Sequence, residues 1–180
     1  GVRVYGQSGR GTQEYEGVKA DILIGTLGKA FGSDGGYVVS DKILIDYLRE
    51  AAQTYIYSNP ISPGVAASAL TSLKIMSDTE GEKILAKLYN LVNYFRLCVK
   101  EADIPFAAES DHPIQPILIG DAKKAQEVAK KLLDKQIVAT SISYPIVPRG
   151  RDEIRVQINA YHQKQDIETL VNALKVAITV

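Results

Sequence analysis

Lys29 is the side chain of this sequence with the clearest potential for covalent chemistry. It stands in the stretch Gly25-Thr26-Leu27-Gly28-Lys29-Ala30-Phe31-Gly32, and glycines at positions 25, 28, 32, 35 and 36 frame it. Glycine lets the backbone approach a ligand closely. An amine among short apolar residues is withdrawn from water and can act as a nucleophile. We therefore expect Lys29 to be partly shielded from solvent.

Two other interpretations of Lys29 start from the same residues. Local chemistry alone favours an exposed lysine on a hairpin loop. A phosphate-binding loop would need glycine where Leu23 stands and serine or threonine where Ala30 stands, so that motif is excluded.

The elements that must position this turn follow from hydrophobic periodicity and from glycine and proline breaks. The first 19 residues read as loop with at most a short turn of structure. The pattern predicts strands over residues 21–25, 35–40, 54–58, 114–119, 137–143 and 153–158. It predicts helices over residues 41–52, 63–77, 81–102, 121–135 and 165–178. In the 153–158 strand, alternation places Arg155 on the polar face, where its guanidinium could grip a carboxylate.

The composition of the chain limits the binding partners and the cellular compartment that we expect. Lys plus Arg number 21 and Asp plus Glu number 21, so no net charge favours nucleic acid or an anionic membrane, and we expect neither partner. The single cysteine, Cys98, excludes an internal disulfide and suits a reducing cytoplasm as a buried thiol. Two distant histidines, His112 and His162, predict no metal site.

Several motifs occur in one order along the chain: residues 9–12, 21–32, 35–37, 57–60, 144–150 and 154–158. Together they resemble the motifs of the α-oxoamine synthases, a branch of the fold-type I enzymes that use pyridoxal 5′-phosphate (PLP). The resemblance implies an α/β fold, the C-terminal part of a fold-type I transferase. Residues 1–80 would be a remnant of the large PLP-binding domain with a linking helix, and residues 81–180 a small α+β domain. An aspartate and a histidine that contact the ring in the family would precede Gly1, so the resemblance implies a C-terminal fragment.

The resemblance also implies roles for individual residues. Lys29 would bind PLP as a Schiff base and act as a base, and Thr26 would donate to the cofactor phosphate. Ser58, assisted by Asn59, would reach the phosphate of the neighbouring subunit, which implies a homodimer with shared active sites. Arg155 would hold the carboxylate of the amino-acid substrate. From the residues alone, Thr26, Ser58 and Asn59 are ordinary turn residues.

The activity implied is PLP-dependent transfer of an acyl group from acyl-CoA to an amino acid. The motifs look most like the branch that joins glycine to acetyl-CoA to give 2-amino-3-oxobutyrate. One alternative is another branch, of the 8-amino-7-oxononanoate synthase or serine palmitoyltransferase type. The other is a catalytically incompetent fragment of such an enzyme.

Overall fold

The structure is a computed structural model that describes residue 6 and residues 8–179. The chain separates into two compact units that divide between Lys83 and Ile84. The first unit contains the glycine-framed turn, and the second contains Arg155. The assignment of residues 1–80 and 81–180 to a large and a small domain stays a prediction.

A two-stranded antiparallel hairpin carries the turn in the first unit. Strands β1 (Ile22–Thr26) and β2 (Gly36–Ser40) pair with Leu23 opposite Val39 and Gly25 opposite Tyr37. Four helices complete this unit: α1 (Thr12–Glu16), α2 (Lys42–Ala51), α3 (Gln53–Ile56) and α4 (Pro63–Met76). Pro63 stands in the first turn of α4, where a missing N–H costs nothing, and the Ser62 hydroxyl caps that helix by accepting from the Val65 N–H.

Apolar burial in the first unit is sparse. Leu27 is the only hydrophobic side chain that is buried among the described residues up to Lys83. Ile24, Ile43 and Tyr47 are largely exposed, and Leu44 and Leu48 of α2 are only half-buried. Burial of apolar area is the main favourable term in folding, so this unit gains little of it internally.

The second unit has the predicted order of strand, helix, two strands and helix, after a long helix. It comprises α5 (Thr79–Glu101), which begins shortly before the division, β3 (Ile114–Leu118), α6 (Ala122–Asp134), β4 (Thr140–Ile142), β5 (Glu153–Gln157) and α7 (Lys164–Thr179). The three strands form one antiparallel sheet in the order β3-β5-β4. Strand β5 is therefore central, and Arg155 lies opposite Pro116 on one side and Thr140 on the other.

One continuous core stabilises the second unit. Its members come from the inner face of the sheet and from α5, α6 and α7, and they include Phe95, Ile117, Leu132, Ile154 and Leu174, all fully buried. Phe95 also meets Phe106 edge to face, with ring centroids 6.3 Å apart. Asp121 caps α6, because its Oδ1 accepts from the Lys124 N–H at 2.7 Å.

The structure corrects three expectations about secondary structure. Residues 54–58 do not form a strand: the Ala52 carbonyl accepts from the N–H groups of Tyr55 and Ile56, and the helix α3 forms instead. The strand predicted over residues 137–143 is limited to β4, Thr140–Ile142. The first 19 residues contain the short helix α1. Cys98, expected to be buried, is half-buried.

Candidate active site

A set of nested hydrogen bonds shapes the turn that carries Lys29. The Leu27 N–H donates to the Gly35 carbonyl at 2.9 Å, and the Ser33 N–H donates to the Leu27 carbonyl at 3.0 Å. Inside this loop, the Gly32 N–H closes a tight turn onto the Lys29 carbonyl at 2.9 Å. Gly32 has φ of 58°, which glycine adopts without strain. The backbone at Lys29 is therefore defined by the turn itself.

Two serine hydroxyls tie this turn to helix α4. The Ser33 hydroxyl donates to the Val65 carbonyl at 3.1 Å, and the Ser72 hydroxyl donates to the Phe31 carbonyl at 2.8 Å. Both serines are half-buried. Sequence reasoning named neither of them. Ser33 could have been suspected from its place in the turn, whereas nothing in the sequence connects Ser72 with Phe31.

The Lys29 side chain is exposed in this chain, which corrects the expectation that it would be shielded. Within residues 8–179, no hydrogen bond or ion pair engages its ammonium group. The glycines around it leave space but provide no apolar cover, because they carry no side chains. The amine is therefore accessible to an aldehyde, and any desolvation must come from groups outside the first unit as described.

An open depression adjoins the turn. Its volume is about 590 Å³, and small or polar residues line it: Gly28, Gly32, Ser33, Asp34, Gly64, Val65 and Ser68. These residues leave room for a polar ligand next to the lysine.

Thr26 lies at the end of β1, three residues before Lys29, and is exposed. Its Oγ1 accepts from the Gly28 N–H at 3.2 Å, a local bond typical of turn threonines. A hydroxyl that accepts through a lone pair keeps its own O–H for donation. The structure therefore brings together, in one turn, an accessible amine and a hydroxyl that can donate to an anion.

Ser58 and Asn59 follow α3 and are exposed. The Ser58 hydroxyl donates to the Thr54 carbonyl. Since a serine has one O–H, this donor is occupied in the described chain and would have to leave Thr54 to reach a phosphate.

Arg155 lies on the outer face of the sheet in the second unit. Ile154, Val156 and Ile158 are buried on the inner face, and Arg155 and Gln157 are exposed, as the alternation predicts. The positive charge of Arg155 acts on His112, which precedes strand β3. Burial, with a further contribution from the Arg155 guanidinium, lowers the pKa of His112. Arg155 therefore presents a cation on a rigid central strand.

In the glycine-rich loop before α1, backbone and hydroxyl donors already bind a carboxylate, that of Glu14. The Glu14 carboxylate accepts from the Ser8 N–H and the Arg10 N–H, both at 2.9 Å, and from the Ser8 hydroxyl at 2.6 Å. These bonds lower the pKa of Glu14, the Ser8 hydroxyl most. Two amides of this loop, those of Ser8 and Arg10, are thus engaged by the Glu14 side chain of α1.

Two further findings concern the described residues as a whole. Among them, no three or more His, Cys, Asp or Glu side chains cluster closely enough to hold a metal ion. The helices that the structure describes are all too short or too polar to cross a membrane.

Comparison with known proteins identifies the family. The model of the family described as aminotransferase class I and II matches residues 3–174. The chain belongs to this family.

Its relatives are enzymes of the kind that the motifs indicated. The chain is 39% identical over 170 residues to the 8-amino-7-oxononanoate synthase of Petrotoga mobilis, covering 93% of this chain and 42% of the relative. It is 35% identical over 175 residues to the 2-amino-3-ketobutyrate coenzyme A ligase of Escherichia coli K12. This match covers 96% of this chain and 43% of the relative. The chain thus spans about two fifths of the length of these curated relatives. The resemblance to α-oxoamine synthases is confirmed.

A solved structure supports the fold. A high-resolution structure of SPT with its PLP internal aldimine superimposes with a TM-score of 0.89 at 26% identity, covering 98% of this chain and 44% of that one. The predicted α/β fold of a fold-type I PLP-dependent transferase is confirmed. The family and this neighbour both support PLP as the predicted cofactor.

Proposed function

We propose that the intact enzyme to which this chain belongs transfers an acyl group from acyl-CoA to the α-carbon of an amino acid, with PLP as cofactor. The observation that carries the proposal is the pairing, in one hydrogen-bonded turn, of the accessible Lys29 amine with the Thr26 hydroxyl. A covalent aldehyde cofactor with a phosphate group needs both of these functions.

Each residue has a distinct task in this proposal. PLP, when bound, supplies an electron sink that stabilises negative charge on the substrate α-carbon. Lys29 Nζ anchors the cofactor covalently, and once released it removes the proton from the α-carbon. The Thr26 O–H donates to the phosphate and fixes its distance from Lys29. Arg155 pairs with the substrate carboxylate through two parallel N–H donors.

Borohydride trapping of PLP tests the role of Lys29. Incubating the intact enzyme with PLP and reducing it is expected to add the reduced cofactor to the peptide that contains Lys29, as read by mass spectrometry. Lys29→Ala should lose this adduct. Lys42→Ala, which removes another exposed lysine of the first unit, should retain it. Labelling at Lys42 and not at Lys29 would refute the assignment.

Glycine and acetyl-CoA are our proposed substrates, giving 2-amino-3-oxobutyrate and CoA as in glycine C-acetyltransferase. The motifs at residues 57–60 and 143–145 support this choice. A second candidate is the 8-amino-7-oxononanoate synthase reaction, favoured by the 39% identity to such a synthase. A panel of acyl-CoA donors, with glycine and alanine as acceptors, separates the two. A strong preference for acyl chains longer than acetyl would overturn the acetyl assignment.

We further propose a homodimer in which Ser58 and Asn59 serve the partner's cofactor. Mixing a Lys29→Ala protein with a Ser58→Ala protein tests this arrangement. In a mixed dimer with shared sites, one site carries both substitutions and the other carries neither. Activity should therefore recover in the mixture, and a mixture no more active than its parents would refute the sharing.

A further inference from the structure

We propose that Ser72 and Ser33 are positioning residues for Lys29: their hydroxyls hold the lysine turn against helix α4 and so fix the place from which the amine attacks. This inference rests on the proposed function of Lys29. It concerns side chains that sequence motifs did not single out.

The two bonds hold the residues on either side of Gly32, whose N–H closes the turn. Ser72 donates at 2.8 Å to the carbonyl of Phe31, two residues after the lysine. Ser33 donates at 3.1 Å to Val65 in the first turns of α4. Phe31 is held again through its ring, which meets the ring of Tyr37 edge to face at 6.2 Å. The segment after Lys29 is thus anchored by backbone, hydroxyl and ring.

The acceptor of the Ser72 hydroxyl is unusual for a serine on a helix. Such hydroxyls commonly donate to the carbonyl four residues earlier in their own helix. Thr71 does this with Ala67 at 2.9 Å, and Thr169 does it with Gln165 at 2.8 Å. The Ser72 hydroxyl instead crosses to a carbonyl 41 positions away in sequence. Its bond therefore serves the turn and not the helix.

Positioning matters here because the Lys29 side chain has no partner among the described residues to orient it. A flexible side chain on a moving turn would explore many positions. A displacement of about 1 Å can cost on the order of 100-fold in rate. Within the described chain only the backbone of Lys29 can be held in place, and the two serine bonds hold Phe31 and Ser33, two and four residues after it.

The test uses the intact enzyme and its rate of adduct formation with saturating PLP, measured by stopped-flow absorbance and borohydride trapping. Ser72→Ala is expected to lower the first-order rate constant by roughly 10-fold, since a loosened turn misplaces the amine. Thr71→Ala is the matched control, because it removes a neighbouring hydroxyl that bonds within α4. Ser40→Ala is the control for Ser33→Ala, because Ser40 donates to Asp21 outside the turn. Both controls should stay within about twofold of the wild type.

A second readout separates positioning from general stability. Hydrogen–deuterium exchange of the peptide over residues 28–35 should quicken in Ser72→Ala without PLP, while exchange in β1 and the thermal midpoint stay unchanged. Ser72→Thr retains the hydroxyl and should restore both the rate and the protection.

The outcomes distinguish the two proposals. A wild-type enzyme that forms no adduct at Lys29 refutes the proposed function and with it the positioning role. A wild-type adduct that forms at the same rate in Ser72→Ala, Ser33→Ala and their controls overturns the positioning role alone. A Ser72→Ala rate that falls only together with the thermal midpoint also overturns it, because the serine would then act on folding.

Discussion

Gln115 should be the most stability-critical polar side chain of the second unit. It is fully buried on β3. Its amide donates to the carbonyl of Ser110 at 2.8 Å and to that of His112 at 2.5 Å, and its Oε1 accepts from Arg96 Nη1 at 3.1 Å. Gln115→Ala removes all three bonds at once.

The expected loss follows from those bonds. A net contribution of about 1 kcal/mol per hydrogen bond gives about 3 kcal/mol for three. Any buried acceptor that the substitution leaves unsatisfied would add about 1–3 kcal/mol to this loss. Ser110 is less affected, since Arg96 Nη1 also donates to its carbonyl at 2.7 Å. For a unit of this size, 3 kcal/mol corresponds to a fall of about 12–24 °C in Tm.

Urea unfolding followed by far-UV circular dichroism measures this loss. The main transition should report the second unit, because the continuous core lies there. Gln157→Ala is the matched control: the same residue type, exposed on β5, with an expected change within about 0.5 kcal/mol. A loss below about 1 kcal/mol for Gln115→Ala, with an unchanged denaturant slope, would refute the hydrogen-bond argument.

Three further predictions concern the hairpin, a helix cap and pH. Gly25→Ala would place a Cβ 2.2 Å from the Tyr37 ring, so the ring must move, and a cost of about 1–3 kcal/mol should appear as faster amide exchange in β1; unchanged exchange would contradict it. Asp121→Ala should cost about 1 kcal/mol in urea unfolding by releasing the Lys124 N–H, and Asp121→Asn should restore most of it; equal losses in both variants would refute the cap. Burial lowers the pKa of His112, so below pH ~6.5 the unfolded chain binds its proton more readily and stability should fall with falling pH. His112→Asn should flatten this slope between about pH 7 and 5, and a slope that is unaltered would contradict the assignment.

The helices and strands of the second unit could be predicted because the sequence patterns that indicate them involve residues close together in the chain. The stripe of apolar residues in α6, the capping Asp121 and the alternation around Arg155 each specify a structure from neighbours in sequence. The core confirms the inner face of β5 residue by residue. The length of β4 was overestimated most, and β3 and β5 each by one residue, because a strand ends where its partner turns away, which periodicity does not record.

The first unit was harder because its structure depends on distant contacts. Residues 54–58 have strand-like composition, yet residues 54–56 lie in helix α3, since strand preference depends on a neighbouring strand to pair with. The exposure of Lys29 could not be inferred from its glycines, which predict a turn but not what covers it. The Ser72–Phe31 bond joins residues 41 positions apart and depends on how α4 docks on the turn.

The unequal burial in the two units has a consequence for how the chain opens. Local unfolding needs least free energy where few apolar contacts must be broken. The lysine turn belongs to the unit with a single buried hydrophobic residue among those described, whereas Arg155, the proposed carboxylate anchor, lies on a strand backed by a dense core. Brief protease treatment of this chain should therefore cut before Lys83 first and leave a resistant C-terminal product, which would lack Lys29 but retain Arg155.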